Sequence, residues 1–307
     1  MKIGIFKPFK KVFFNDDTLD EAGWSIEVVN MAKILAERDN KVYILSDTDL
    51  KEGDIDNIHI GTLNERYDRI ILFCGSFQLE KRKDIVEHLR TLTDQYDFYL
   101  TDLLLVPSQF NLFDRIYTQT KRKQFILPEK YVYGAGPELN LYQITLPNLE
   151  ESIKNKSIEY YFGGTERKRI DDFIEYVWRP DCKLTTKSKF LNILTRVDRN
   201  EYLANLRLTK YSIVIADSEF NDNGFVSPRH YENIKHDIIS FIDNKWDQDG
   251  LIVPLDDWRR VNNYKELKEK MIYLNTHYNE YTQLLQKQRK EIKQEFINGD
   301  YVYNALK

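Results

Sequence analysis

YSIVIADSEFNDNGFVSPRHYENIKHDIISFI, residues 211–242, holds two apolar, partly β-branched runs, Tyr211–Ala216 and Asp237–Ile242. Between them lie a polar Asn-Asp-Asn-Gly loop and a segment opening Ser-Pro-Arg, a helix-start signature with proline in the first turn. Short apolar runs of this kind are strands buried on both faces, and a helix between two of them is the crossover that parallel strands require. The stretch therefore predicts a β-α-β unit. Its loop should lie at the C-terminal edge of a parallel sheet, where such folds bind ligands.

The same alternation extends in both directions. Lys2–Phe6, Lys41–Ser46, Arg69–Cys74 and Asp97–Thr101 read as strands. Ser25–Arg38 reads as a helix with Val28, Met31, Ala32 and Leu35 on one face, and Asp84–Thr93 as a second. After an irregular connection at 127–156 the pattern restarts, with strands at Ile158–Gly164, Lys189–Leu194 and the two runs quoted above. Helices are expected at Arg169–Val177, Asn200–Leu206 and through the charged segment Tyr264–Ile297. This predicts an α/β protein of two doubly wound, Rossmann-like domains facing a cleft, which fits a chain of 307 residues.

Composition narrows the class. Hydrophobic residues are 42% and charged residues 31%, and no apolar run approaches the ~18 residues of a membrane span. The start MKIGIFKPFKK enters a strand without the pattern of a signal peptide, so a cytoplasmic protein is expected. Cys74 and Cys182 are far apart, fit no zinc pattern and are expected to be buried thiols. The net charge of −4 argues against a surface that grips nucleic acid everywhere. Local basic clusters at Lys7–Lys11, Lys81–Lys83, Thr120–Lys123 and Glu166–Arg169 are either solvated charge or phosphate contacts.

The strand ends carry the chemistry. YYFGGTERKR, residues 160–169, runs a strand through Gly163 and Gly164 into a helix start at Thr165 that bears Arg167 and Arg169. Free backbone N–H groups, glycines that permit close approach and two guanidiniums suit a pyrophosphate; a tight turn with surface arginines is the plainer alternative. Asp217 to Asn223 should line the same edge. Arg229 and Glu232, three apart, share a helical face, so the arginine can meet phosphate and the carboxylate a ribose diol, or the two form a surface ion pair. In the first half, Asp102 follows the strand in DFYLTDLLLVP, as a general base or a helix cap. Glu27 opens the first helix. Asp47-Thr48-Asp49 has the form of a metal-binding DxD, but loops after strands commonly carry such residues and no metal site is expected from it.

Taken in order, MKIGIF, SIEVVNMAKIL, VYILS, YDRIILFCGS, FYLTDLLLVP, YYFGGTERKR and FNDNGFVSPRHYENIKHDIISFID resemble the DNA β-glucosyltransferases of T-even bacteriophages. That family moves glucose from UDP-glucose onto 5-hydroxymethylcytosine in duplex DNA. The resemblance implies a glycosyltransferase B fold: an acceptor domain over 1–150, joined by a C-terminal helix at 285–307, and a donor domain over 151–284. It implies Asp102 as catalytic base, with Glu27 near the donor sugar. Thr165, Arg167, Arg169 and Arg229 fall on the diphosphate site, Glu232 on the ribose carboxylate and Val197 on a uracil contact. Phe220 stands where the family has tyrosine, and the segment before Arg169 is two residues shorter. Asp217 and Phe220 complete the expected donor set.

DNA-contacting loops are matched by GSFQLEKRKD and SQFNLFDRIYTQTKRKQ, with Ser76, Phe77, Lys81, Arg82, Lys83, Phe110, Lys121, Arg122 and Lys123 as the expected contacts. Aromatics beside cations suit an enzyme that takes a base out of the stack. The partners expected are a UDP-sugar and duplex DNA with a hydroxymethylated base, acting on a monomer in the cytoplasm of an infected bacterium. No cofactor is required on this reading; a divalent metal is at most stimulatory. The same fold acting on 5-hydroxymethyluracil, an already glycosylated base or a cell-surface polymer, or using a pentose donor, is the alternative. A silent relative that binds DNA or a host protein is a further one.

Overall fold

The apolar runs of the first half pair as one parallel sheet. In the computed structural model, which describes residues 1–7, 24–45, 57–74, 82–100, 111–118, 130–133, 137–165, 169–188, 193–194, 197–215, 227–250 and 252–307, they give β1 (Lys2–Phe6), α1 (Trp24–Ala36), β2 (Lys41–Leu45), β3 (Ile58–Ile60) and β4 (Tyr67–Cys74). α2 (Lys83–Thr91), β5 (Thr93–Leu100), β6 (Arg115–Thr118) and β7 (Tyr131–Tyr133) follow. The strand order is β3-β2-β1-β4-β5-β6-β7, all parallel, with Ile3 opposite Val42 on one side and opposite Arg69 on the other. The order reverses between β1 and β4, which makes that gap the switch point of the sheet.

Periodicity placed the helix faces correctly: Val28, Met31, Ala32 and Leu35 of α1 are buried against Ile3, Ile5, Val42 and Ile44. Each such aliphatic side chain contributes about 1.5–3 kcal/mol by leaving water. β5 begins four residues earlier than expected, because the polar Asp94 and Gln95 lie at the foot of a strand whose Tyr96, Phe98 and Tyr99 are fully buried.

The second sheet is built from α3 (Leu149–Lys154), β8 (Ile158–Thr165), α4 (Ile170–Asp172), β9 (Cys182–Ser188), β10 (Ile193–Leu194), α5 (Arg199–Leu208), β11 (Thr209–Val214), α6 (Pro228–Lys235), β12 (Ile239–Asp243) and β13 (Arg260–Val261). Its order is β10-β9-β8-β11-β12-β13, parallel except for β10, with the switch point between β8 and β11. The expected helix over Arg169–Val177 is a single α-turn that widens into a π-turn at Phe173–Val177, which turns Phe173, Tyr176 and Val177 inward. β9 had no counterpart in the sequence reading; its residues CKLTTKS carry too few apolar side chains to register. Cys74 is buried as expected, whereas Cys182, in β9, is only partly buried.

Contacts divide the chain into Met1–Gln143 with Gln294–Lys307, and Ile144–Lys293. The boundary thus lies at 143/144 instead of 150/151, and the returning segment starts at Gln294 instead of 285. The reason is local. α7 (Tyr264–Thr276) and α8 (Tyr278–Arg289) bury Leu267, Met271, Leu274, Tyr281 and Leu285 with β11 and β12, and Gln288 bonds both Ser240 N and Ile238 O. Only α9 (Gln294–Ile297) and α10 (Asp300–Leu306) return to the first unit. There Arg69 of β4 is buried and serves as a latch. It donates to Asp97 of β5 (2.6 Å), Tyr117 of β6 (2.6 Å) and the Leu306 carbonyl at the end of α10 (2.6 Å).

Candidate functional site

At the switch point of the second sheet, β8 ends in Phe162-Gly163-Gly164-Thr165. The ring of Phe162 is fully buried and forms a floor. The Arg229 guanidinium, from the first turn of α6, lies 4.5 Å from its centroid, and that of Arg169 lies 5.5 Å from it. Arg169 also donates to the carbonyl of Ile215 at the end of β11, so it spans the gap between the two strands. A Cβ on Gly164 would lie 2.7 Å from Arg229 Nη2; glycine there gives the guanidinium its room. Two cations over one ring gain cation–π attraction but repel one another, an arrangement that an anion between them relieves.

Glu232 sits one turn along α6 from Arg229. Its Oε2 accepts a 2.7 Å hydrogen bond from Tyr202 of α5. α6 is held by its buried face: His230 bonds Glu291 (2.6 Å) and Ser240 (3.3 Å), and Asn233 donates to Ser240 (3.0 Å). These ties fix the helix that carries Arg229 and Glu232. Val197 is partly buried and directly precedes Asp198, the N-cap of α5, which accepts from Glu201 N (2.9 Å).

Gly163, Gly164, Arg169, Arg229 and Glu232 are therefore brought to one strand end, beside Tyr202. Thr165 closes β8; Arg167, Asp217 and Phe220 lie outside the described residues. At this strand end, Tyr202 is the site residue that carries no sequence signal. Its position in NEYLANL gave only a helix, and its partners are distant in sequence.

In the first unit, the switch point carries a second polar cluster. Lys7 follows β1 directly and is 2% exposed; Glu27, in the first turn of α1, is 5% exposed. Asn140 donates to Glu27 Oε1 (3.2 Å). Burial raises the Glu27 carboxyl to about 7, against the opposing pull of Asn140 and the Lys7 ammonium. Burial likewise lowers Lys7 to about 8, with Glu27 opposing. An acid that changes charge near neutrality at a sheet's switch point is a chemically competent group. In the sequence Lys7 is one member of a basic cluster, and nothing local in that cluster marks its burial beside Glu27.

Asp102 lies outside the described residues, two positions beyond the end of β5. So do Ser76, Phe77, Lys81, Phe110, Lys121, Arg122 and Lys123. Arg82 precedes α2, and Lys83 is exposed and pairs with Glu87 at 3.6 Å, a surface pair of little energy. Among the described residues no group of three or more His, Cys, Asp or Glu is placed to hold a metal ion, and no helix is long and apolar enough to cross a membrane.

Comparison with solved structures finds an α-glucosyltransferase in complex with UDP-glucose and DNA containing an abasic site, at 11% identity and TM-score 0.57, covering 99% of this chain and 98% of that one. A sucrose-phosphate synthase from Thermosynechococcus elongatus matches at 10% identity and TM-score 0.58, over 98% and 96%. Anabaena HepE in complex with UDP-glucose matches at 11% and 0.55, over 100% and 98%. The chain has a glycosyltransferase B fold. No protein-family model and no curated protein matches it. Identities of this size establish the glycosyltransferase B fold alone; the α-glucosyltransferase shares that fold, whereas the sequence motifs point to the β-glucosyltransferases.

Proposed function

We propose that this protein is an inverting glycosyltransferase that moves glucose from UDP-glucose onto the hydroxymethyl group of 5-hydroxymethylcytosine in duplex DNA. The observation that carries the donor half is the convergence of Arg169 and Arg229 on Phe162 and Gly164 at the β8–β11 switch point, with Glu232 one helical turn away. Two guanidiniums match a diphosphate, and a carboxylate at that offset matches a ribose diol. Structures of the same fold hold UDP-glucose, and one of them holds DNA as well, which supports both halves.

The acceptor oxygen attacks the anomeric carbon from the face opposite UDP while the bond to the diphosphate breaks. Asp102 accepts the proton of the hydroxymethyl group. A carboxylate of ordinary strength cannot ionise an alcohol beforehand, so the proton moves late, as the sugar becomes cationic. Arg169, Arg229 and Arg167 stabilise the charge that grows on UDP, each well-placed donor contributing roughly 3–4 kcal/mol. Glu27, with Lys7 and Asn140 behind it, holds a sugar hydroxyl. No metal is assigned a step.

The alternative acceptors are 5-hydroxymethyluracil, a glycosylated base or a cell-surface polymer, and only the last is favoured by the net charge of −4 and by a match to WaaG, a glycosyltransferase of lipopolysaccharide biosynthesis. One experiment separates them. Purified protein is offered UDP-glucose and other nucleotide sugars with duplex DNA containing cytosine, 5-hydroxymethylcytosine or 5-hydroxymethyluracil, and nucleoside masses are read after digestion. A hexose mass gained on 5-hydroxymethylcytosine and not on cytosine is expected, with a β linkage by NMR. An α linkage would remove the in-line role of Asp102. No gain on any DNA despite tight UDP-glucose binding would move the acceptor away from DNA.

A further inference from the structure

We infer that Tyr202 is a positioning residue that makes the nucleotide site selective for ribose over deoxyribose. The inference rests on the reading of Glu232 as the group that meets the ribose diol, and it adds what holds that carboxylate in place.

Tyr202, in α5, reaches two other elements at once, α6 and β8. Its hydroxyl donates to Glu232 Oε2 at 2.7 Å, its ring lies 6.3 Å from that of Tyr161 in β8, and its edge lies over the backbone of Gly163. A Cβ on Gly163 would stand 2.5 Å from Tyr202 Cε2 and 2.7 Å from the Tyr161 hydroxyl. Glycine at 163 is thus required by the tyrosine and does not itself present space to a ligand. Tyr161 is locked in turn by a hydrogen bond between its hydroxyl and Thr185 of β9.

A glutamate on a helix surface has three rotatable bonds, and freezing them on binding costs free energy. Tyr202 removes that cost by holding Oε2 beforehand, which leaves Oε1 to accept from a diol. A carboxylate fixed in this way discriminates sharply. A ribose satisfies the remaining lone pairs, whereas a 2′-deoxyribose leaves a partly desolvated carboxylate one donor short. A mobile glutamate would swing to water instead and discriminate little.

The test measures UDP and 2′-deoxyUDP binding by calorimetry. The wild type should prefer UDP roughly 10–150-fold, the range for hydrogen bonds to a charged group. Tyr202→Phe should keep its affinity for 2′-deoxyUDP and lose most of the preference, to within about threefold. A purely structural role would weaken both nucleotides alike. Glu232→Gln supplies the second arm: Tyr202→Phe should have no further effect on selectivity in that background, since its action passes through the carboxylate. Gly163→Ala, which pushes the same ring aside, should reproduce the Tyr202→Phe signature. A Tyr202→Phe protein that retains the full preference, or loses affinity equally for both nucleotides, overturns the inference while leaving the donor site standing. A wild type that binds no UDP overturns the donor reading itself.

Discussion

Glu27→Gln should make the protein more stable at neutral pH and less active. The carboxyl is buried and its pKa is raised from 4.5 to about 7, so desolvation outweighs the attraction of Lys7 and the Asn140 bond. Between pH 4.5 and 7 the folded chain holds a proton at Glu27 that the unfolded chain has released. Stability from this residue is therefore present in acid, declines as pH rises through that window and is fully lost above pH 7. At 1.36 kcal/mol per pH unit the loss amounts to about 3 kcal/mol. Glutamine keeps the shape and the amide bonds without the ionisation, so the difference between variant and wild type should grow from near zero at pH 4.5 to about 3 kcal/mol at pH 7.5. Because the chain has two units, a single melting temperature would mix them. Urea-dependent hydrogen exchange read on β1 and α1 peptides isolates the first. Lys7 gives the mirror image: its pKa is depressed to about 8, so its cost is relieved as pH rises from 8 to 10.5. In Lys7→Met the Glu27 window should extend above pH 7, since the carboxylate loses its ammonium. Parallel stability curves for wild type and Glu27→Gln from pH 4.5 to 8 would refute the burial argument.

Arg229→Ala should weaken UDP binding by about 1.5–3 kcal/mol in calorimetry, and the Arg229→Ala/Arg169→Ala pair should fall short of the sum, because each removal relieves the repulsion felt by the other. Asp102→Asn should leave UDP affinity nearly unchanged while transfer falls by ~100-fold or more; transfer at the wild-type rate would take Asp102 out of the mechanism. Arg69→Met should cost about 3–5 kcal/mol, since Asp97 is left buried without its partner, and exchange protection should be lost first in α10, whose last carbonyl Arg69 holds. If the cations at 81–83 and 121–123 grip phosphate, DNA affinity should fall steeply with salt, and reversing their charge should flatten that slope without changing UDP binding.

Much of the architecture was legible because parallel strands buried on both faces announce themselves as apolar runs, and α1 announces itself by its 3.6-residue spacing. What escaped did so for physical reasons. β9 is polar in composition and holds its place through backbone pairing with β8, which leaves little trace in side-chain chemistry. The unit boundary escaped because α8 and α9 look alike as charged helical sequence, and only the apolar contacts of Tyr281 and Leu285 decide that α8 stays with the second sheet.

The candidate site divides along the same line. Arg229 and Glu232 could be paired from sequence because helical geometry is local: three residues apart means one face. Glycine at 163 could not be read, because the nearest atom that excludes a side chain there belongs to Tyr202, outside its own strand. A Gly-Gly pair after a strand invites a phosphate, and at Gly164 the space does open toward a guanidinium. At Gly163 the space is filled by a tyrosine from α5, whose hydroxyl reaches α6. Two adjacent glycines thus answer to different elements, one to the cations and one to the side chain that orients the carboxylate. The topology explains why both demands fall on adjacent residues: at the switch point the chain leaves β8 toward β9 and leaves β11 toward β12, in opposite directions, so side chains from α5 and α6 can meet over the end of β8.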